Sequence, residues 1–236
     1  MYRYANDIDN YNGPTPINPV TRAILSMSRP AGKFMLRYPI ETVIYKNDYD
    51  IDAYLQTFSE FGQRILPFQT YRLNIEKPIS DYQFSGFNSV YNTPLVFDDR
   101  FTLKSTLSKY DDYGNVLQII NNESDISTTI LYGYNNSLPV AEIINQDYDE
   151  VKNHLQGYTG DTNLSSSQIN YLKSNLPNAQ ISTYTYDPLY GMTSEIGPDN
   201  IKLSYEYDDF GRLKLVKDQN GDILKRYTYQ SGFNRL

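Results

Sequence analysis

The chain has 236 residues, of which 39% are apolar and 21% charged, with a net charge of −7 and a pI near 4.7. It is long enough to bury a real core and too apolar to be disordered, while its acidic balance argues against nucleic acid or an anionic membrane surface as partner. No apolar run approaches the roughly 18 residues of a membrane span, and with no cysteine there is neither a disulfide framework nor a thiolate metal site.

The opening "MYRYANDIDN" has no basic segment leading into an apolar one, so no secretion signal is visible. Residues 1–20, rich in Asn, Asp, Pro and Gly, read as an irregular arm or linker. A β segment is expected over 21–100. "RAILSMS", "KFMLRYPIETVIYK", "IDAYLQTFSEF" and "ILPFQTYRLNIEK" have strand composition, with Lys46-Asn47-Asp48 as a hairpin turn. "ISDYQFSGFNSVYNTPLVFDDR" then reads as a connecting loop punctuated by Gly86 and Pro94. Whether 21–100 contains worn repeats is left open. The tyrosine bias, 24 Tyr against 10 Phe and no Trp, fits many half-buried strands, because tyrosine packs well and keeps a wet hydroxyl.

From residue 101 the sequence repeats itself. "KYDDYGNVLQI", "LYGYNNSLPVAEI", "TYTYDPLYGMTSEI", "SYEYDDFGRLKLV" and "RYTYQ" carry Tyr110, Tyr134, Tyr186, Tyr207 and Tyr229 as markers, spaced by 24, 52, 21 and 22 residues. Each unit is expected to be two strands and two turns. Tyr205 and Tyr207 share a strand face with Leu203, Asp208 accepts backbone N–H groups to start a turn, and Gly211 supplies the positive φ that closes it. Leu213 and Leu215 alternate on the returning strand. Asn220-Gly221 then reads as a type I′ hairpin turn, followed by a strand with Tyr227 and Tyr229 on one face. Stacked hairpins with tyrosines in rungs would bury a continuous aromatic face. The long step holds an insertion over 147–178. There Asp147/Glu150 and Ser165/Gln168 have capping-box spacing, Val151 and Leu155 share one helical face, and Ile169, Leu172 and Leu176 form another, stopped by Pro177. Repeats are therefore expected over 101–146 and 179–236, flanking a helical hairpin that covers part of the sheet.

Catalytic patterns are weak. His154, the only histidine, sits on the first expected helix with no Gly-x-Ser-x-Gly in the chain, and reads as a surface residue. Asp48, Asp50 and Asp52 alternate but lack the Gly and bidentate Glu of a calcium loop. "GDTN" has Asn163 where an aspartic-protease turn needs Gly, and no phosphate loop occurs. Asp98-Asp99, Asp111-Asp112 and Asp208-Asp209 would serve a glycosidase only if tertiary structure paired them, and two of the three are better explained as turns. No cofactor is expected.

The run "YEYDDFGRLKLVKDQNGDILKRYTY" resembles the YD repeat, or Rhs repeat, of large bacterial surface proteins and toxins. Its pattern Tyr-x-Tyr-Asp-x-x-Gly-Arg-Leu is met by Tyr205, Tyr207, Asp208, Gly211, Arg212 and Leu213. Tyr110, Asp111 and Gly114 give a close copy with Asn115 for Arg. Tyr184, Tyr186, Asp187 and Gly191 form a copy with one extra residue, and Tyr132 and Tyr134 a looser one. The order of units from Leu103 to Tyr229 is similar to YD-repeat proteins abundant in Bacteroidetes. The resemblance implies a long β-sheet spiralling into a hollow shell, which in some members encloses a toxin and in others forms an extracellular adhesion structure; such repeats have also been linked to carbohydrate binding. The family's shell-closing, self-cleaving region finds no match here, so the chain is expected to be a fragment.

The resulting expectation is a mainly β fold, a twisted antiparallel meander of stacked hairpins with a small helical insertion. It would be a non-catalytic wall segment of a secreted or cell-surface protein. Its partners would be the rest of a longer YD-repeat chain and, through an open edge strand, other copies. The alternatives are a module binding a glycan or protein and, more weakly, a glycoside hydrolase.

Overall fold

Period-two alternation of apolar and polar residues becomes strand almost everywhere in the computed structural model, which describes residues 1–8, 18–28, 35, 37–87, 95–155 and 157–229. The chain divides into two units, Met1–Ile126 and Ser127–Leu236.

In the first unit, β1 (Tyr2–Arg3), α1 (Ala5–Ile8) and α2 (Pro19–Ser28) precede β2 (Glu41–Lys46), β3 (Tyr49–Phe61) and β4 (Arg64–Leu73). A small ladder, β5 (Gly86–Phe87) with β6 (Leu95–Val96), leads to β7 (Phe101–Tyr110) and β8 (Val116–Asn121). The main strands stand in the order β1-β2-β3-β4-β7-β8, all antiparallel. The β2–β3 turn is the expected one. Asn47 and Asp48 have φ of 52° and 64°, the pair of positive values that a type I′ turn requires.

Three expectations for this unit are corrected. "RAILSMS" is not a strand but the body of α2: Asn18 Oδ1 accepts the N–H groups of Val20 and Thr21 (3.0 Å each), and Pro19 opens the first turn. A short apolar run does not reveal its period, and the cap just before it was the better signal. The arm is not irregular where it is described, because Tyr2 and Arg3 pair with Thr42 and Glu41; its prolines 14 and 16 lie outside the described residues. The connecting loop contains a ladder through Gly86 and a bridge from Ile79 to Asp50, while Pro94 lies outside the described residues. The core packs Ala23, Ile24, Leu25 and Met27 of α2 with Val43, Ala53, Leu55 and Phe58, and an Arg22–Glu60 ion pair (2.5 Å) ties the helix to β3.

The second unit holds β9 (Ile126–Gly133), β10 (Leu138–Ile144), α3 (Tyr148–Asn153), α4 (Ser166–Asn175), β11 (Gln180–Asp187), β12 (Gly191–Ile196), β13 (Lys202–Tyr207), β14 (Leu213–Lys217) and β15 (Ile223–Arg226). Its strands follow chain order from β9 to β15 in an open antiparallel meander. The helical insertion lies where the sequence places it. Ser165 and Gln168 form the expected capping box, whereas Asp147 occupies the N-cap of α3 without a side-chain cap bond. Val151, Leu155, Leu172 and Leu176 bury against Leu131, Val140, Ala141, Ile143 and Ile181, so the helices cover one face of β9–β11. At roughly 1.5–3 kcal/mol for each fully buried aliphatic side chain, that contact supplies much of the unit's stability. The insertion's two ends meet, Asn145 Nδ2 donating to the carbonyl of Asn178 at 3.2 Å.

Candidate functional site

The repeated residues form three linked devices. The first is an aspartate turn. Asp111, Asp208 and Asp218 each use Oδ1 to accept the N–H groups two and four residues on. These are Tyr113 and Asn115 (2.9 and 2.8 Å), Phe210 and Arg212 (2.9 and 3.0 Å), and Asn220 and Asp222 (2.9 Å each). The N–H of Gly114, Gly211 and Gly221 donates back to the aspartate carbonyl, and their φ values of 93°, 73° and 88° are cheap only for glycine. Each is a type I turn followed by a left-handed glycine. The type I′ turn expected at Asn220-Gly221 is therefore not formed: Gly221 has positive φ and Asn220 does not, because Asp218 captures the loop two residues earlier. The extra residue after Asp187 changes its turn. Asp187 accepts from Leu189 (2.8 Å), and Gly191 (φ 128°) pairs opposite Asp187 itself.

The second device is a tyrosine clasp. Tyr110 donates its hydroxyl to the carbonyl of Pro67 (2.7 Å), Tyr207 to Met192 (2.7 Å) and Tyr229 to Leu213 (2.9 Å). Each target lies just beyond the last paired residues of its ladder, Gln69–Thr106, Ser194–Ser204 and Leu215–Arg226. The phenol therefore satisfies a carbonyl where the strands part, which explains the second tyrosine in the units of Tyr110, Tyr207 and Tyr229. Burial pushes the Tyr110 phenol up to about 12 and raises that of Tyr207. Tyr134 is the most connected. Its hydroxyl donates to the carbonyl of Tyr186 (2.9 Å) and accepts the N–H of Tyr186 and Nδ2 of Asn163 (2.8 Å each). Tyr134, Asn135 and Asn136 all have positive φ, so Tyr134 lies past the end of β9 and does not share a strand face with Tyr132. Tyr132 instead offers its carbonyl to the Tyr158 hydroxyl (2.7 Å), which binds the insertion to the sheet. Gly133 allows this approach, since a Cβ there would sit 2.6 Å from the carbonyl oxygen of Thr162.

The third device is a tyrosine–glutamate rung. Tyr184 donates to Glu142 (3.2 Å) and Tyr205 to Glu195 (3.0 Å), while Glu195 stands opposite Tyr184 in register. The rungs expected as tyrosine on tyrosine are thus a row alternating acid and phenol. Burial and the Glu142 carboxylate lift Tyr184 to about 12. Sequence reading missed these glutamates, although "VAEI" and "TSEI" spell them at the same place in each returning strand.

Arg212 links one unit to the next. Its Nε donates to Asp208 (2.9 Å), and its guanidinium lies 4.3 Å from the Tyr229 ring centroid, while its hydrogen bonds hold Asp208 below the usual carboxylate range. Asn115 plays the first part for Asp111 through an amide bond of 2.8 Å. Leu213 contributes the carbonyl that Tyr229 clasps. Tyr227 and Tyr229 lie beyond Arg226, the end of β15, so the expected shared strand face is absent. Tyr227 still donates its N–H to Lys214 (2.9 Å), with the Lys225 ammonium 4.9 Å from its ring centroid.

Several candidate catalytic groups are engaged in structural contacts, whereas Asp50, 5% exposed, keeps an Oδ1 without a hydrogen-bond partner and a carboxyl that burial raises above its ordinary value. Asp98 is 1% exposed and bound by Arg100 and the Gln83 amide, which hold it at about 2. Asp111 and Asp208 serve their turns. Asp52 meets Arg72 (3.0 Å) and the Tyr54 hydroxyl (2.9 Å), while Asp161 accepts from Thr159 (2.7 Å). His154 Nε2 lies 3.3 Å from Glu150, with its ring against Tyr171. Sequence reading also missed Glu41, fully buried and bonded to Arg3 (3.1 Å), the Tyr82 hydroxyl (2.5 Å) and the Ser85 amide, a network that only the tertiary fold assembles. Among the described residues, no group of three or more His, Cys, Asp or Glu is arranged to hold a metal.

Fold and devices together define an antiparallel β-meander built from repeated hairpin units. No family model matches the chain, and no curated protein matches it. Among solved structures, a chain in "Crystal Structure of TcdB2-TccC3-Cdc42" is similar over 81% of this chain and 8% of its own length, at 13% identity and a TM-score of 0.44.

Proposed function

We propose that the chain is a non-catalytic wall segment of a longer YD-repeat protein, displayed at the cell surface or secreted, whose units extend a β-sheet scaffold. The observation that carries this reading is the tyrosine clasp: the most regular residues of the sequence spend their hydroxyls on main-chain carbonyls of the neighbouring strand. The binding of Asp111 and Asp208 within turns and of Asp98 in a buried ion pair supports it. Among the described residues, no helix is long and apolar enough to cross a membrane.

A second reading, recognition of a glycan or a partner protein, draws on the turn tips. Tyr113, Tyr190 and Phe210, each just before a turn glycine, are 64%, 47% and 84% exposed. Three measurements separate the readings. For a wall segment, Tyr110→Phe, Tyr207→Phe and Tyr229→Phe each lower unfolding free energy by about 0.5–1 kcal/mol, and widely separated pairs add. Unchanged stability in all three would defeat the wall reading. Retention on a glycan array that disappears with Phe210→Ala would establish recognition instead, and turnover of a glycoside abolished by one Asp or Glu substitution would establish a hydrolase.

A further inference from the structure

We propose that Asn220 is a site of spontaneous main-chain modification, succinimide formation followed by isoaspartate, and that the Asp218 turn holds this reaction in check. The chemistry needs only water. The Gly221 amide nitrogen gives up its proton and attacks Cγ of Asn220; the bond from Cγ to the side-chain nitrogen breaks and ammonia leaves. Water then opens the ring at one of its two carbonyls, giving aspartate or isoaspartate at position 220. Glycine in the next position removes the side chain that would obstruct attack, and no heavy atom lies within 4 Å of the place where a Gly221 Cβ would be. Both residues are exposed, so water and base reach them.

The fold opposes the step at the attacking atom. The Gly221 N–H donates to the Asp218 carbonyl at 3.1 Å. On either side of it, Asn220 and Asp222 donate their N–H groups to Asp218 Oδ1 at 2.9 Å. Bringing the Gly221 nitrogen onto Cγ rotates the Asn220–Gly221 peptide out of this arrangement, so ring closure waits for the turn to open. The two sister turns place Tyr113 and Phe210 before their glycines, and neither side chain can cyclise. Of these three turns the last alone carries reactive chemistry, and it joins β14 to β15, the last strand among the described residues.

The product would not fit. Isoaspartate routes the main chain through the side-chain carbon and lengthens a loop that the Asp218 N–H closes onto the Asp222 carbonyl at 3.0 Å. It also adds a negative charge two residues from Asp218 and Asp222. β15, whose four residues are all exposed, has little burial with which to resist, so modification releases it from β14.

The test ages the full chain at neutral pH and follows conversion by peptide mapping with isoaspartate detection, which separates this site from Asn12-Gly13, the chain's other Asn-Gly pair. Conversion at Asn220 is expected to be about tenfold slower in the folded chain than in the same chain in urea. Asp218→Ala should approach the urea rate, whereas Asp218→Asn, which keeps the acceptor oxygen, should remain protected. Equal rates with and without urea, no conversion in urea, or Asp218→Asn as fast as Asp218→Ala would each overturn the proposal. Because the folded and urea rates are compared in the unaltered chain, an unfolded Asp218→Ala variant does not remove the test.

Discussion

Replacing Tyr134 with phenylalanine deletes one oxygen and keeps the ring, which packs edge-on to Tyr186 with centroids 5.7 Å apart. The lost hydroxyl bonds to the Tyr186 carbonyl, the Tyr186 N–H and the Asn163 amide. All three partners are part-buried, and Asn163 Oδ1 is already a buried atom without a hydrogen-bond partner, so the deletion strands further polar groups at one place. At about 1 kcal/mol for each unreplaced hydrogen bond, discounted for partial access to water, the cost is about 2–3 kcal/mol. For a chain of this size that lowers the melting temperature by about 4–10 °C. Urea unfolding should show a reduced midpoint with an unchanged slope, and hydrogen exchange at the Tyr186 amide should accelerate. A variant within about 0.5 kcal/mol of the parent would show that the ring, and not the hydroxyl, holds this junction, and would refute the clasp at its best-connected instance.

Gly211→Val should destabilise by more than about 1 kcal/mol, since a β-branched residue resists a φ of 73°, even though the nearest atom to its Cβ, Tyr190 Cδ1, is a tolerable 3.6 Å away. An unchanged urea midpoint would remove the backbone argument. The phenols of Tyr110, Tyr158 and Tyr184, pushed up by burial to about 12, favour the folded state while protonated. Their contribution is complete below the ordinary value of 10.0 and drains away as pH rises from there toward about 12, so stability should fall steeply across that window. A flat pH profile there would mean that these hydroxyls are not held.

Much of this fold was legible because local chemistry and tertiary role agree. The marker tyrosines locate strand ends, Asp111 and Asp208 locate turns, and Ser165 with Gln168 starts a helix as its spacing says. What escaped depended on distance along the chain. Asn18-Pro19 signalled a helix start, but the strand-like composition of the residues after it outweighed two letters. The Asn220-Gly221 pair carried the strongest hairpin preference in the chain and lost to Asp218, whose carboxylate offers two acceptor bonds at once. Glu142 and Glu195 escaped because their phenolic partners belong to the next strand. Nothing in the letters announces Glu41, whose partners lie 38, 41 and 44 residues away.

The meeting of Asn145 and Asn178 has a further meaning. A segment that leaves a sheet and returns to its own point of departure does not disturb the pairing of the strands on either side: β10 still meets β11 in unbroken register from Ala141–Thr183 to Ile144–Gln180. The length of what is inserted there is therefore free to vary without shifting the sheet, provided that the replacement has adjacent ends and still covers Leu131, Val140, Ile143 and Ile181.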